Sequence, residues 1–350
     1  MDWQSAKEKF QQWRESRNDD ESSGLRTRIA IIVFGVYLLG SVFVGIYWSV
    51  MPDRIVIEDY SASMPGQNPQ APVVGTVTTT TLIKVMSTLL EKKGGFLGND
   101  IMPPGVWLDN MANWEYGVLI QSRDLTRALR ESFSRSQSQS QEDVDLGKAE
   151  PSLNFSNDSW VVPATETEYR SAIEFLKRYL SRLSDQSNTR SQFYSRADNL
   201  SYWLAIVESR LGSLSQRLSA SVGKRRLNTD LAGDSAAQQS TYAPADLEVK
   251  TPWTELDDVF YESRGSAWAL SQFLRAAEID FSEVLKKKNA LVSLQQIIRE
   301  LEAAQQSIYS PVILNGSGFG LLANHSLVMA SYISRANAAI IDLRDLLSQG

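Results

Sequence analysis

The 350-residue chain has no cysteine. That excludes disulfides, a thiol nucleophile and any cysteine-ligated metal. Histidine is nearly as scarce: His325 stands alone. Every two-histidine zinc pattern is therefore excluded, and a nucleophile–base–orienter arrangement has little to draw on. Positive charge is also short, with 35 Lys and Arg against 41 Asp and Glu and a net charge of −6. Nucleic-acid binding relies on clustered excess Lys and Arg, so no such partner is expected. Sustained apolar–polar alternation, the mark of half-buried strands, is almost missing. The lack of cysteine suits an oxidising compartment.

Long apolar runs are few too, but one stands out. Residues 29–50, IAIIVFGVYLLGSVFVGIYWSV, carry no charge over 22 positions. As a helix they would extend roughly 33 Å, enough for a bilayer core of about 30 Å. Tyr47 and Trp48 stand at the far end, where amphipathic rings favour the interface. A cleaved signal peptide would have a shorter apolar run and a small-residue cleavage site. Lys7, Lys9, Arg14, Arg17, Arg26 and Arg28 precede the run, and Arg54 is the only basic residue between Met51 and Ile83. The basic side stays in the cytoplasm, which predicts export of the rest, to the periplasm in a Gram-negative host. Ser41-x-x-x-Gly45 is a small-residue pair of the kind that lets two membrane helices approach closely.

The first 28 residues are too few for a core, although Trp3, Phe10 and Trp13 share one helical face. They predict an amphipathic segment on the inner leaflet or an unstructured tail. Pro52, Pro65, Pro69 and Pro72 mark an extended spacer. A helix is expected over 78–93, closed by Gly94, and a second over 117–135. Residues 134–151 and 228–250 are polar and read as flexible loops.

From Thr165 the pattern is regular. Thr165 and Glu168 have capping-box spacing, and Tyr169, Ile173, Leu176, Leu180 and Leu183 step by four and three. Leu200, Leu204, Val207, Leu211, Leu214 and Leu218 repeat the rhythm, and Thr251-Pro252 is a suitable helix start. The next seam runs from Leu256 to Val284 with Ser263 as its polar member. No Pro or Gly interrupts positions 266–310, so one helix reaching Leu301 is expected. Met329, Ile333, Ala336, Ile340, Leu343 and Leu347 form the last seam. Seams of this period bury a narrow stripe by knobs-into-holes packing.

The most unusual stretch is GGFLGNDIMPPGVWLDNMANWEYGVL, residues 94–119. Asp100, Asp109 and Glu115 beside Trp107, Trp114 and Tyr116 form a candidate interaction or ligand surface. Paired carboxylates serve glycosidic hydrolysis, and flat rings suit sugars. The same residues also have structural uses: Gly94 ending a helix, Pro103-Pro104 turning the chain, Asn113 capping the next helix, and aromatics filling the end of a bundle. That structural reading is the better supported. NGSGFG (315–320) matches neither a dinucleotide-binding nor a P-loop pattern and reads as a connection between helices. Lys286-Lys287-Lys288 reads as a solvated turn.

Residues 94–119, the following RDLTRALRESFSRSQSQSQEDVDLGKAEP, and YSPVILNGSGFGLLANHS resemble an uncharacterised family of proteobacterial single-span inner-membrane proteins, a domain of unknown function. The resemblance implies an inner-membrane protein of about this length. It carries no activity and no site residues.

The expected fold is mainly α: a single N-terminal transmembrane helix, then an elongated, mostly antiparallel helical bundle with heptad-like seams. Residues 1–28 are the cytoplasmic tail, 29–50 the span, 51–74 the spacer and 75–350 the periplasmic bundle. No catalytic residue, cofactor or metal ligand is assigned. The expected partners are the lipid bilayer through 29–50, an envelope protein, and a second copy of the chain. The expected role is a membrane-anchored scaffold or interaction protein of the cell envelope. An enzyme or ligand-binding protein acting on cell-wall or lipid material through Asp100, Asp109 and Glu115 is the alternative.

Overall fold

A computed structural model describes residues 3–56, 73–135, 142–185, 191–227, 246–310, 312–317 and 320–349. The chain divides into two compact units, Met1–Val50 with Ile101–Leu108, and Met51–Asp100 with Asp109–Gly350. The fold is mainly α, as the seams predict.

The first unit is built on one long helix, α1 (Trp3–Trp48). Its stretch Thr27–Trp48 is long and apolar enough to cross a membrane. Ile31, Phe34, Leu39 and Phe43 are exposed, whereas Ser41 and Gly45 are buried. The helix runs unbroken through positions read as a separate tail. The shared face of Trp3, Phe10 and Trp13 lies outside the described side chains. The rest of the unit is the short apolar segment Ile101–Leu108, which contains one 3₁₀ turn, Gly105–Trp107.

The second unit is a packed set of helices. α2 (Thr76–Glu91) and α3 (Asp109–Ala128) come first, with α3 passing into a π-turn at Leu129–Phe133. Then follow α4 (Leu146–Leu153), α5 (Thr165–Ser184) and α6 (Ala197–Ser219). β1 (Lys224–Leu227) and β2 (Asp246–Val249) pair antiparallel. α7 (Leu256–Asp280), α8 (Ser282–Lys287), α9 (Leu291–Ala303) and α10 (His325–Ser348) complete it. α3 packs along α7, α6 along α10, and α9 lies against both α7 and α10. The residues of the α5, α6 and α10 seams are buried without exception.

Several local expectations change. Thr165 is the first residue of α5, so no capping box forms; its hydroxyl instead donates to the Ser156 and Ser159 carbonyls, both at 2.9 Å. Of the stretch 134–151 read as a loop, residues 146–151 belong to α4 and 136–141 lie outside the described residues; of the stretch 228–250, residues 246–249 form β2 and 228–245 lie outside them, as do 57–72 of the spacer. α3 begins at Asp109, so Asn113 is an interior residue and not a cap. The long C-terminal helix is interrupted without Pro or Gly. α7 stops before Phe281, whose ring packs on Phe133 and Phe193 with centroids 5.3 and 5.6 Å apart. Asn289 then takes φ 52, a left-handed conformation that Asn tolerates better than most residues.

The start of α2 is capped from far along the chain. The Asp280 carboxylate accepts from Gly75 N at 2.8 Å and from Thr78 N and Oγ1, both at 2.7 Å. A helix N-terminus leaves amides unsatisfied, and here the last residue of α7 collects two of them. Gly75 has φ 90, and a Cβ there would collide with the Phe193 ring.

Candidate functional site

The α3–α7 contact sets the geometry of the site. Gly117 on α3 faces Glu262 and Ser266 on α7; a Cβ on Gly117 would stand 2.7 Å from Ser266 N. A Cβ on Gly265 would run into the Trp114 carbonyl oxygen. The Ser266 hydroxyl donates to the Gly117 carbonyl at 3.2 Å. Two helix backbones thus approach as closely as their glycines permit. The approach brings Trp114 against Trp268, with ring centroids 5.2 Å apart and planes inclined by 56°.

Beside this pair is a cleft of about 420 Å³. One wall is a polar stripe of α7, Arg264, Trp268 and Gln272, spaced four residues apart so that they lie on one face. Trp114 contributes from α3, and Met51–Arg54, Glu302 and Gln305 from the remaining sides. Arg264, Trp268, Gln272 and Trp114 are all buried. Trp114 Nε1, Trp268 Nε1, Arg264 Nε and Gln272 Oε1 have no hydrogen-bond partner among the described residues. A buried polar group without a partner costs roughly 1–3 kcal/mol, and more if charged, so four around one cleft require an explanation.

Arg264 is the most costly. One terminal nitrogen donates to the Gln305 carbonyl at 2.9 Å, and Gln305 Nε2 returns a bond to the Arg264 carbonyl at 3.1 Å. Among the described residues no carboxylate pairs with it. Burial holds its pKa below the ordinary guanidinium value. The nearby carboxylate Glu302 is paired with Arg275. A second, mainly apolar cleft of about 340 Å³ shares Arg264 and includes Phe260, Ile308, Met329 and His325. A larger cleft of about 700 Å³ lies beside Arg54, Arg275 and Lys286, but none of its lining side chains carries an unpartnered buried atom.

The acids singled out in the sequence sit differently. Glu115 is fully buried; its carboxylate accepts from Leu97 N at 2.9 and 3.0 Å and from Gly98 N at 2.8 Å, and is ion-paired with Lys92. Lys92 also donates to the Gly95 carbonyl, so one buried pair ties down the whole turn after α2. Burial raises the Glu115 pKa to about 7, against the opposing pull of Lys92 and the two amides. Asp109 is exposed at the start of α3 and accepts from Asn110 N at 2.8 Å. Asp100 is exposed after that turn, its pKa raised by partial burial and by Glu166. Tyr116 is exposed on α3, and Trp107 belongs to the first unit. Of the six, only Trp114 lines the cleft.

His325 opens α10. Its Nδ1 accepts from Leu314 N at 3.1 Å, and its own amide donates back to the Leu314 carbonyl at 2.8 Å, fastening the preceding loop. Among the described residues no group of three His, Cys, Asp or Glu side chains is placed to hold a metal ion. Sequence reading missed Arg264, Trp268 and Gln272. The available signal was residues 265–274, GSAWALSQFL, which carry no charge over nearly three turns. A helix without a charged face is buried all round, so polar residues within or beside it have partners or ligands to find.

No curated protein and no solved structure matches the chain. One family model does, described as an uncharacterized protein conserved in bacteria, over residues 21–350. The match takes in α1 from Glu21 onward and the whole second unit, cleft included, and the chain belongs to that bacterial family, DUF2333.

Proposed function

We propose that this is a single-span binding protein of the bacterial cell envelope, with its N-terminus in the cytoplasm and its helical unit in the periplasm. The helical unit takes a ligand that carries an anionic group into the cleft at Arg264. The observation behind this reading is the buried guanidinium without an anionic partner among the described residues, beside two indole N–H groups and an amide oxygen equally unpartnered. An anion offered to that guanidinium removes the cost of an unpaired buried charge. Because Arg264 also borders the apolar cleft, an amphipathic anion such as an alkyl phosphate or alkyl carboxylate fits both sides of it. The span rests on Thr27–Trp48, and the orientation on the basic residues before it.

The test is titration of full-length protein in a non-ionic detergent with inorganic phosphate, a short alkyl phosphate and a short alkyl carboxylate. Melting temperature and tryptophan fluorescence are followed. The alkyl anions should raise the melting temperature of the wild type and leave Arg264→Met unmoved. No response to any anion, or the same response in Arg264→Met, would sink the reading.

A scaffold role has its own support in Tyr309, Leu321 and Leu322, apolar side chains that stand well out in the segment before α10. An envelope protein cross-linked to the wild type and lost from Tyr309→Ser/Leu321→Ser would carry that reading.

A further inference from the structure

The segment Ile101–Leu108, IMPPGVWL, has eight consecutive residues without a charged side chain, the Trp107 indole N–H being its one polar side-chain group, and is flanked in sequence by Asp100 and Asp109. Ile101, Met102, Val106 and Trp107 are each about half exposed. In water such a cluster is unfavourable. The segment is seated on α1, inside the stretch able to cross a membrane: a Cβ placed on Gly45 would stand 3.5 Å from Pro104 Cβ and 3.7 Å from Leu108 Cδ2, ordinary contact distances. The Tyr37 hydroxyl donates to the Pro103 carbonyl at 2.8 Å.

The hydrogen bonding of this segment matters most. Lipid hydrocarbon offers no partner to a backbone amide or carbonyl, so each internal bond lowers the cost of placing non-helical chain in it. Four of its eight carbonyls, those of Met102, Pro103, Pro104 and Gly105, accept from Val106 N, Tyr37 Oη, Trp107 N and Leu108 N in turn. Two of the residues are prolines, which have no amide to satisfy. The bond works in both directions. Tyr37 lies 11 residues before the end of α1, about 16 Å at 1.5 Å per residue. A hydroxyl at that depth would otherwise be without a partner in hydrocarbon.

We propose that Ile101–Leu108 is a second membrane element, a loop embedded among the acyl chains of the leaflet at the C-terminal end of α1. It reaches from roughly one turn to about 16 Å below that end, and the lipid covers Ile101, Met102, Val106 and Trp107. The Ser41–Gly45 face, suited by sequence to a second copy, is in part occupied by the chain's own loop. The proposal rests on α1 spanning a bilayer.

Because the chain has no cysteine, single labels can be placed without background. Met102→Cys, Val106→Cys, Phe43→Cys inside the span and Val162→Cys, exposed on the second unit, each carry an environment-sensitive fluorophore in full-length protein. The proteins are reconstituted in phosphatidylcholine–phosphatidylglycerol vesicles, with quenchers on the acyl chains or, separately, in the aqueous phase. Labels at positions 102 and 106 should be quenched by the acyl-chain probe to within about twofold of position 43, while 162 responds only to the aqueous one. If 43 is quenched by the lipid probe but 102 and 106 behave like 162, the loop is in water and the proposal fails while the span stands. Shielding of 102 and 106 from both quenchers would mean a protein covers them, a second copy or another partner, which also overturns it. An unquenched position 43 would remove the span reading and this proposal together.

Discussion

Glu115 and Lys92 show how much a single buried pair holds at the scale of one residue. The carboxylate collects two amides and an ammonium, and all of these groups have left water. Glutamine keeps one acceptor oxygen for the amides but leaves the Lys92 ammonium without its anionic partner. Glu115→Gln is therefore expected to lower the melting temperature by several degrees and to loosen the turn at 94–98. The pH dependence has a definite sign. A folded-state pKa of about 7 lies above the ordinary 4.5, so the folded chain holds this proton more tightly than the unfolded one. Its contribution is fully present below about pH 4.5 and is lost as pH rises through about 7. Asp280, raised by burial to about 6 from 3.8, acts in the same direction over a lower window. The lowered Asp145 and Glu131 act oppositely, but only in more acid solution, below the ordinary carboxylate values. Denaturant midpoints should therefore fall as pH is raised from about 5 to about 7.5, and Glu115→Gln should flatten that slope. An equal slope in both proteins would mean that Glu115 is not the group responsible.

Among the helices, the closest approach is made by glycines that intrinsic propensity disfavours. Alanine is better than glycine in a helix interior by about 1 kcal/mol. Gly265→Ala should nevertheless be destabilising by about 1–3 kcal/mol, because its methyl would meet the Trp114 carbonyl oxygen and force α3 away from α7. Gly212→Ala in α6 makes the control: its nearest neighbour would be Asn337 Nδ2 at 3.6 Å, an ordinary contact, so propensity should win and stability should rise slightly. Urea midpoints of the two variants separate close approach from propensity. The same comparison explains what was legible in the sequence. The α5, α6 and α10 seams announce themselves because burying an apolar stripe needs a local period and nothing else. Gly117 and Gly265 look alike in sequence with Gly212, since what distinguishes them is a backbone carbonyl brought in by another helix. The break after Asp280 was hidden for a related reason. It falls at an aromatic cluster of Phe133, Phe193 and Phe281, and a second break follows α8 at the left-handed Asn289; neither depends on a residue that breaks helices on its own. The candidate site was legible only at Trp114, because the rest of the cleft is assembled from Met51–Arg54, α7 and the end of α9 with the residues after it, all distant in sequence from residues 94–119.

Stability and binding pull in opposite directions in the molecule as a whole, and Arg264 is where the conflict can be measured. A domain of this size rests on a margin of only about 5–15 kcal/mol, so a buried guanidinium with a single carbonyl acceptor is a sizeable expense. Methionine matches the arginine side chain as far as Nε and has no charge, and replacing a buried charge with a packed apolar side chain is often neutral or stabilising by about 1–4 kcal/mol. Arg264→Met is accordingly expected to melt at the same temperature as the wild type or a few degrees higher, while losing its response to alkyl anions. Arg264→Ala is the necessary companion, because truncation opens a cavity and should lower the melting temperature whatever the charge was doing. The comparison decides between two roles for one side chain. If Arg264→Met is destabilised as much as Arg264→Ala, the Gln305 carbonyl bond is a structural tie and the cleft needs no ligand to explain it. If methionine stabilises and binding disappears, the charge is retained at the expense of the fold, and the cleft is where its benefit is recovered.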